Sequence, residues 1–516
     1  MVTLGLSLAA FAAGAQAEDK VPTNAAEWFQ AGQREVRDNK LGRELPNVRR
    51  AKNVILFVGD GMGISTVTAA RILEGQKRGI DGEFNRLSFE KFPYLALSVT
   101  ASANQQTSDS APTATAMVTG IKTNDGAISV DQTINRNEPS ASVTAAKSAR
   151  TILERAEQKG LSTGVVTTAR LTHATPAVNY AHIGNRDWEA DSNLPAGATV
   201  KDIARQLIEF PYGDGLEVAL GGGRSYFQPT TVADPEYPTQ KGRRADGRDL
   251  TAEWTARTSR SEYVWNKAQF DAINPNKTRH LLGLFERSHM KYETDRAQDT
   301  AGEPSLADMT RKAIQVLRNN PRGFYLMVEG GRVDHAHHAG NASRALTDAI
   351  ALSEAVKVAK EMTRDDDTLI VVTADHSHVF TIGGYPGRGN PILGKVAIDG
   401  VLQKDSLGLP YTTLSYANGP GWTGGFVRRE FAPPVTGNDT EGVSNAQYVG
   451  AALRPDLSTI DTTTPNYLQE ATVPMGSETH AGEEVAIYAD GPRAYLFRGV
   501  MEQNAIFHVM ADALGF

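Results

Sequence analysis

A chain of 516 residues with 40% hydrophobic and 22% charged side chains can bury a large core, which excludes a disordered or fibrous protein. Its 53 Lys and Arg against 60 Asp and Glu leave a net charge of −7, and no basic run offsets it, which argues against a nucleic-acid groove or a polybasic membrane face. Cysteine is absent, so no disulfide braces the fold and any metal must be held by nitrogen and oxygen.

The chain opens on VTLGLSLAAFAAGAQA and turns polar at Glu18. This pattern predicts a signal peptide over residues 1–17, ending in the small-residue site Ala15-Gln16-Ala17, although no Lys or Arg precedes Lys20. Export to the periplasm or the extracellular space follows as an expectation. No later segment is apolar and long enough to span a bilayer, and HVMADALGF lacks the hydrophobic tail of a lipid-anchor signal, so no membrane anchor is expected. Residues 18–45 read as a helical arm, carried by NAAEWFQAGQREVRDNK.

From Asn53 onward, strand and helix patterns alternate. The run VILFV ends in Gly59-Asp60-Gly61. Thr107 to Ala116 opens a short helix that Gly120 closes, with Pro112 suited to the first turn. KSARTILERAEQK (147–159) predicts a helix stopped by Gly160 and followed by the strand GVVTT. DIARQLIEF precedes LEVAL and the triple glycine Gly221 to Gly223, and ADMTRKAIQVLRNN precedes FYLMV, which ends in Glu329-Gly330-Gly331. The long helix ASRALTDAIALSEAVKVAKEM leads into LIVVT, which ends in Ala374-Asp375-His376, and EVAIYA follows near the C-terminus.

This alternation predicts an α/β fold with a large, mainly parallel central sheet and helices on both faces. The mixed stretch from about Phe227 to Arg296 and the Gly/Pro-rich stretch 385–474 read as loop insertions above the carboxyl edge of the strands. The expected core is then 46–384 with 475–516, and 385–474 forms a crown-like insertion.

Buried runs rich in β-branched residues and closed by turn formers deliver ligands at the carboxyl ends of parallel strands. Asp60, Glu329 and Asp375 all arrive at that edge, two of them close to histidines, which suggests a metal site. Of 11 histidines none precedes His173, and seven (His173, His335, His337, His338, His376, His378 and His480) fall in four short motifs. Asp334 and His338, four apart, can offer one oxygen and one nitrogen to a single ion if the turn is helical. Ser110 near the start of a helix has free amides and a positive dipole end beside it, which favours an alkoxide or a phosphate. On this pattern alone, the plainer reading, Asp109 or Ser110 as a simple helix cap, is the favoured one.

Together DGMG, DSAPTATA, HATPA, EGGRVDHAHH, TADHSH and ETHAGE, in this order, resemble the alkaline phosphatase family, and GYPGRGNPILG resembles the start of the insertion of its animal-type members. The resemblance implies hydrolysis of phosphate monoesters through a phosphoserine, two zinc ions, one magnesium and a homodimer. Carried over by residue, it implies a first zinc on Asp334, His338 and His480, and a second on Asp375, His376 and Asp60 with Ser110 facing it. Magnesium would share Asp60 and take Thr175 and Glu329. Arg186 would clamp the phosphoryl group, Asp109 would stand beside the serine, and His173 would stand beside magnesium without binding it. A fourth, calcium, site is implied at Glu236, Phe285 and Glu286, with Glu303 where the family has an aspartate. A phosphodiesterase or sulfatase-type hydrolase on the same scaffold, and a non-catalytic zinc or phosphate binder, are the competing readings.

Overall fold

The computed structural model describes residues 21–41, 46–422, 431–432, 443–444 and 454–516, so the expected signal peptide lies outside the described residues. Two compact units emerge, residues 1–45 and 46–516. The first contributes the helix Ala25–Leu41, as its sequence predicts. Asn24 Oδ1 starts it by accepting from the Glu27 N–H, and Glu27 accepts from Thr23 in return.

The second unit is built on a ten-stranded sheet. In chain order its strands are β1 (Asn53–Gly59), β2 (Tyr94–Val99), β3 (Ser162–Arg170), β4 (Val218–Gly222), β5 (Ser261–Val264), β6 (His280–Leu284), β7 (Phe324–Gly330), β8 (Thr368–Ala374), β9 (Val485–Asp490) and β10 (Gly499–Glu502). They lie in the order β10-β2-β9-β8-β1-β7-β3-β4-β6-β5. Only β9 runs against both neighbours.

Every residue of β1, β7 and β8 is buried, because these central strands are covered on both faces. Alternation divides their side chains between two cores. Val54, Leu56, Met327 and Val371 join one, with the helices Ile152–Gln158, Ile203–Ile208 and Ala505–Leu514. Ile55, Phe57, Leu326 and Val372 join the other, with the helices Ile64–Lys77, Leu306–Leu317 and Ala342–Met362. Each fully buried Leu, Ile or Phe contributes about 1.5–3 kcal/mol.

Register then brings the three acids together. Gly59 pairs with Gly330 on one side and Ala374 on the other, and Glu329 pairs with Val58 and Thr167. Asp60, Glu329 and Asp375 therefore leave one edge side by side.

Three departures from expectation stand out. The helix predicted over 147–159 is broken: the chain leaves helix Ala141–Lys147, pairs Ser148 with Val130, and restarts at Ile152. Thr151 and Glu154 form a capping box there, a local signal stronger than continuous helical periodicity. The stretch 227–296 is more than an insertion, since it holds β5 and β6 of the central sheet. Those strands have four and five residues, too short to show a period. The edge strands β2 and β10 fall outside the expectation because both are partly exposed: the apolar run Tyr94–Leu97 of β2 is too short to tell strand from helix, and β10 has only four residues.

At the amino ends of the strands, Glu157 accepts from Thr163 Oγ1 (2.6 Å), while Glu217 accepts from the Thr163 N–H (2.7 Å) and Ser162 Oγ (2.9 Å). Burial, then the nearby Glu217, push the Glu157 carboxyl up from an ordinary 4.5 to about 9. The folded protein therefore binds more protons than the unfolded chain between those values, and stability falls as pH rises through that window. Glu157→Gln keeps an acceptor for Thr163 and cannot ionise. The variant is expected to melt higher than wild type at pH 9 and to differ little at pH 5. Melting curves at both values check this, and equal pH slopes for the two proteins would contradict it.

Candidate active site

The helix Ser110–Thr119 starts beside the edge where the three acids converge, and Gly120 closes it with φ 81°. Asp109 holds the cap position but makes no side-chain bond to the helix. Its carboxylate turns instead to the Arg186 guanidinium. Burial would raise Asp109, but Arg186 holds it down at about 2. The plain cap reading therefore fails for Asp109.

Ser110 Oγ lies 3.4 Å from Asp60 Oδ1 and 3.2 Å from His376 Nε2. That His376 nitrogen is 3.4 Å from both Asp60 Oδ1 and Asp375 Oδ2. Asp375 Oδ1 accepts from the Gly61 and His376 N–H groups, both at 3.0 Å, which leaves Oδ2 buried with no hydrogen bond among the described residues. Gly61 has φ 66°, and a Cβ there would sit 2.3 Å from His378 Nε2, so only glycine lets β1 end this close to the histidines.

A second group gathers around Asp334, on the helix Arg332–His338. Its Oδ1 is 3.3 Å from both His338 Nε2 and His480 Nε2, and those two nitrogens are 3.0 Å apart. Each ring also meets a backbone carbonyl through Nδ1: His338 meets Glu478 at 2.6 Å, and His480 meets Ser108 at 2.8 Å. A carbonyl only accepts, so each Nδ1 carries the hydrogen. In the neutral rings, both Nε2 lone pairs then point at one spot beside a carboxylate. That arrangement repels itself unless a cation sits there, so these donors fit a metal ion.

His378 is clamped between Asp334 and the Glu478 carboxylate. Burial alone would lower it, but the two carboxylates hold it up at about 10. It stays a double donor that orients Asp334.

The third group joins Asp60, Glu329 and His173, whose candidate ligand atoms all lie within 4.8 Å of one another. Among the described residues, Asp60 Oδ2, Glu329 Oε1 and Thr175 Oγ1 are buried with no hydrogen-bond partner. Burial, then the neighbouring carboxylates, raise Asp60 well above the usual carboxylate range. Buried unsatisfied oxygens crowded by like charge fit a hard divalent cation. His173 stands closer in than expected, and its Nε2 meets Arg186 Nη2 at 2.9 Å.

A cavity of about 210 Å³ opens over this edge, lined by Ser110, Arg186, Asp334, His338 and His480 among others. Arg170 and Glu189 also line it, although nothing in their local sequence marks them. At a separate place, Glu236, Glu286 and Asp299 bring carboxylate oxygens within 4.8 Å of one another. Asp299 had escaped the sequence reading. Glu303, expected in that set, is buried and receives the Lys291 N–H on both oxygens, at 3.0 and 3.2 Å. Phe285 follows β6 directly, with its ring against Phe270.

Residues 51–516 match a family model described as alkaline phosphatase. An alkaline phosphatase of Gadus morhua is 45% identical over 486 residues, 92% of this chain and 94% of that one. The tissue-nonspecific alkaline phosphatase of Homo sapiens is 43% identical over 476 residues, 90% of this chain and 84% of that one. Among solved structures, Thermus thermophilus alkaline phosphatase superposes with a TM-score of 0.62 at 23% identity, covering 91% of this chain and 92% of that one. The enzyme of the Antarctic bacterium TAB5 gives 0.58 at 22%, covering 91% and 99%.

Proposed function

Since the chain belongs to the alkaline phosphatase family and is a metal-dependent phosphate monoester hydrolase, we propose that Ser110 is its nucleophile and that three cation sites surround it. Asp334, His338 and His480 would hold one zinc, Asp60, Asp375 and His376 a second, and Asp60, Thr175 and Glu329 a magnesium. Imidazole-rich sets suit zinc and all-oxygen sets suit magnesium, which supports this division. The two converging Nε2 lone pairs of His338 and His480 carry the reading. Bound, such cations act as Lewis acids that favour a serine alkoxide and the charge growing on the leaving oxygen.

The chain's own groups do the rest. Ser110 Oγ attacks phosphorus, a P–O bond to the serine forms, and the bond to the departing alcohol breaks. Arg186, braced by Asp109 and by its own N–H on the Gly126 carbonyl (2.8 Å), offers a planar fork to two phosphoryl oxygens. The helix N-terminus adds positive potential beside the serine. Water then attacks the phosphoserine from the vacated side, which restores Ser110 and releases phosphate. After acid quenching with labelled substrate, peptide mapping is expected to find phosphate on Ser110, and label on any other residue would contradict this reading.

Glu236, Glu286 and the Phe285 end of β6 support a further calcium site, with Asp299 joining Glu303 as a candidate for its remaining ligand. Burial, then Glu286, raise Glu236 to about 8 although Arg224 donates to it at 2.9 Å, so a cation there would offset the remaining repulsion. Calcium added to metal-stripped protein is expected to raise the melting temperature by several degrees, and no shift would count against the site. Export, a homodimer and a crown-like 385–474 segment belong to the same reading through kinship with the family. Among the described residues, no helix is long and apolar enough to cross a membrane.

A further inference from the structure

Both arginines that line the cleft are matched by a carboxylate of their own. Arg186 has Asp109, beside the nucleophile. Arg170, at the end of β3, has Glu189: its Nε and Nη2 donate to Glu189 Oε2 at 2.9 Å and Oε1 at 2.8 Å. Thr172 Oγ1 adds a third bond to Glu189, at 2.5 Å. The remaining guanidinium nitrogen, Nη1, reaches His289 Nε2 at 2.6 Å and Ser288 Oγ at 3.3 Å. Arg170 and Glu189 are 7% and 6% exposed, and what they do expose faces the cavity that holds Ser110 and Arg186.

We propose that Glu189 sets the anion affinity of the cleft: by balancing the Arg170 charge, it keeps phosphate from binding too tightly to leave. The proposal rests on Ser110 and Arg186 forming the phosphoryl end of the cavity. The reasoning is electrostatic. A cleft that binds a dianionic ester also binds its dianionic product, so surplus positive charge slows turnover by trapping phosphate. The Arg170 charge is well placed to do that, and the two-pronged Glu189 contact cancels it. A uniform structural brace would need no carboxylate facing a phosphate site, where its own charge repels substrate. One unit of uncompensated charge lining the cavity that holds the phosphate, with the partial screening of an open cleft, changes affinity about tenfold.

Substitution at Glu189 should therefore act in an unusual direction. In Glu189→Gln the amide oxygen still accepts one Arg170 N–H, but the amide NH₂ opposes the other and turns the guanidinium toward the cleft. With metal-replete full-length enzyme and p-nitrophenyl phosphate, this variant is expected to show the inhibition constant for inorganic phosphate and KM both lowered about tenfold, with kcat reduced. Glu189→Asp, which keeps the charge, should return the phosphate inhibition constant toward wild type. Arg170→Gln should move it the other way, weakening phosphate severalfold. A purely structural role would weaken binding in every variant. Phosphate binding that is unchanged or weaker in Glu189→Gln overturns the proposal. If that variant does not accumulate, unchanged or tighter phosphate binding in Arg170→Gln overturns it equally. Phosphoserine mapping on the same preparations separates the two levels: loss of label from Ser110 in wild type would sink the nucleophile assignment, whereas retained label with flat inhibition constants sinks only the role of Glu189.

Discussion

Ser110→Ala is expected to lower kcat by about four orders of magnitude or more and to abolish the phosphoenzyme, with little change in melting temperature. Ser110 is 2% exposed and begins a helix, a position alanine fills well. The hydroxyl makes no structural bond beyond Asp60 and His376, the residues assigned to the second zinc. Removing it therefore deletes the attacking atom while the cation-binding residues, Arg186 and the cavity remain. Substrate should still bind, so the loss belongs in kcat rather than KM. Quenched-flow labelling beside a thermal melt checks both halves. A variant that still forms the phosphoenzyme, or that fails only because it unfolds, would refute the assignment.

Complete chelation is expected to remove essentially all activity and to lower the melting temperature by several degrees. Asp60, Glu329 and Asp375 are fully buried, and burial together with repulsion from neighbouring carboxylates, Asp334 among them, raises all three above the usual carboxylate range. Without cations they must take up protons or repel one another, and the converging lone pairs of His338 and His480 lose their common partner. An ion present at a thousandfold excess over its Kd stabilises the folded state by about 4 kcal/mol, and stripping it returns that amount. Zinc should restore turnover and magnesium should enhance it, whereas magnesium alone should not suffice because it is a poor match for imidazole. Activity assays and melts through a zinc and magnesium titration test this order. Full recovery with magnesium alone would contradict the division of ligands.

The architecture was largely legible because the three central strands are buried on both faces, and such runs announce themselves without alternation. Their acids were legible for the same reason: a carboxylate one residue past VILFV or LIVVT has nowhere to go but the sheet edge. Ala342–Met362, a long helix uninterrupted by a cap signal, matched residue for residue. What failed had weaker local signals. β5 and β6 are too short for periodicity, and before Ile152 helical periodicity across the break masked the Thr151–Glu154 capping box, which the bridge of Ser148 to Val130 reinforces. In the site, Glu478 supplies both a carbonyl to His338 and a carboxylate to His378, a double role that only folding reveals. Arg170 and Glu189 looked like ordinary charged residues until β3 carried one of them to the cavity. Asp299 was hidden in a polar loop, where acids are common and none is distinctive.

Anomalous X-ray diffraction at the zinc absorption edge, on crystals of active enzyme, tests the central claim most directly. Two peaks are predicted, one enclosed by Asp334, His338 and His480 and the other by Asp60, Asp375 and His376, with Ser110 Oγ beside the second. Active crystals with no anomalous density at either position would contradict the account.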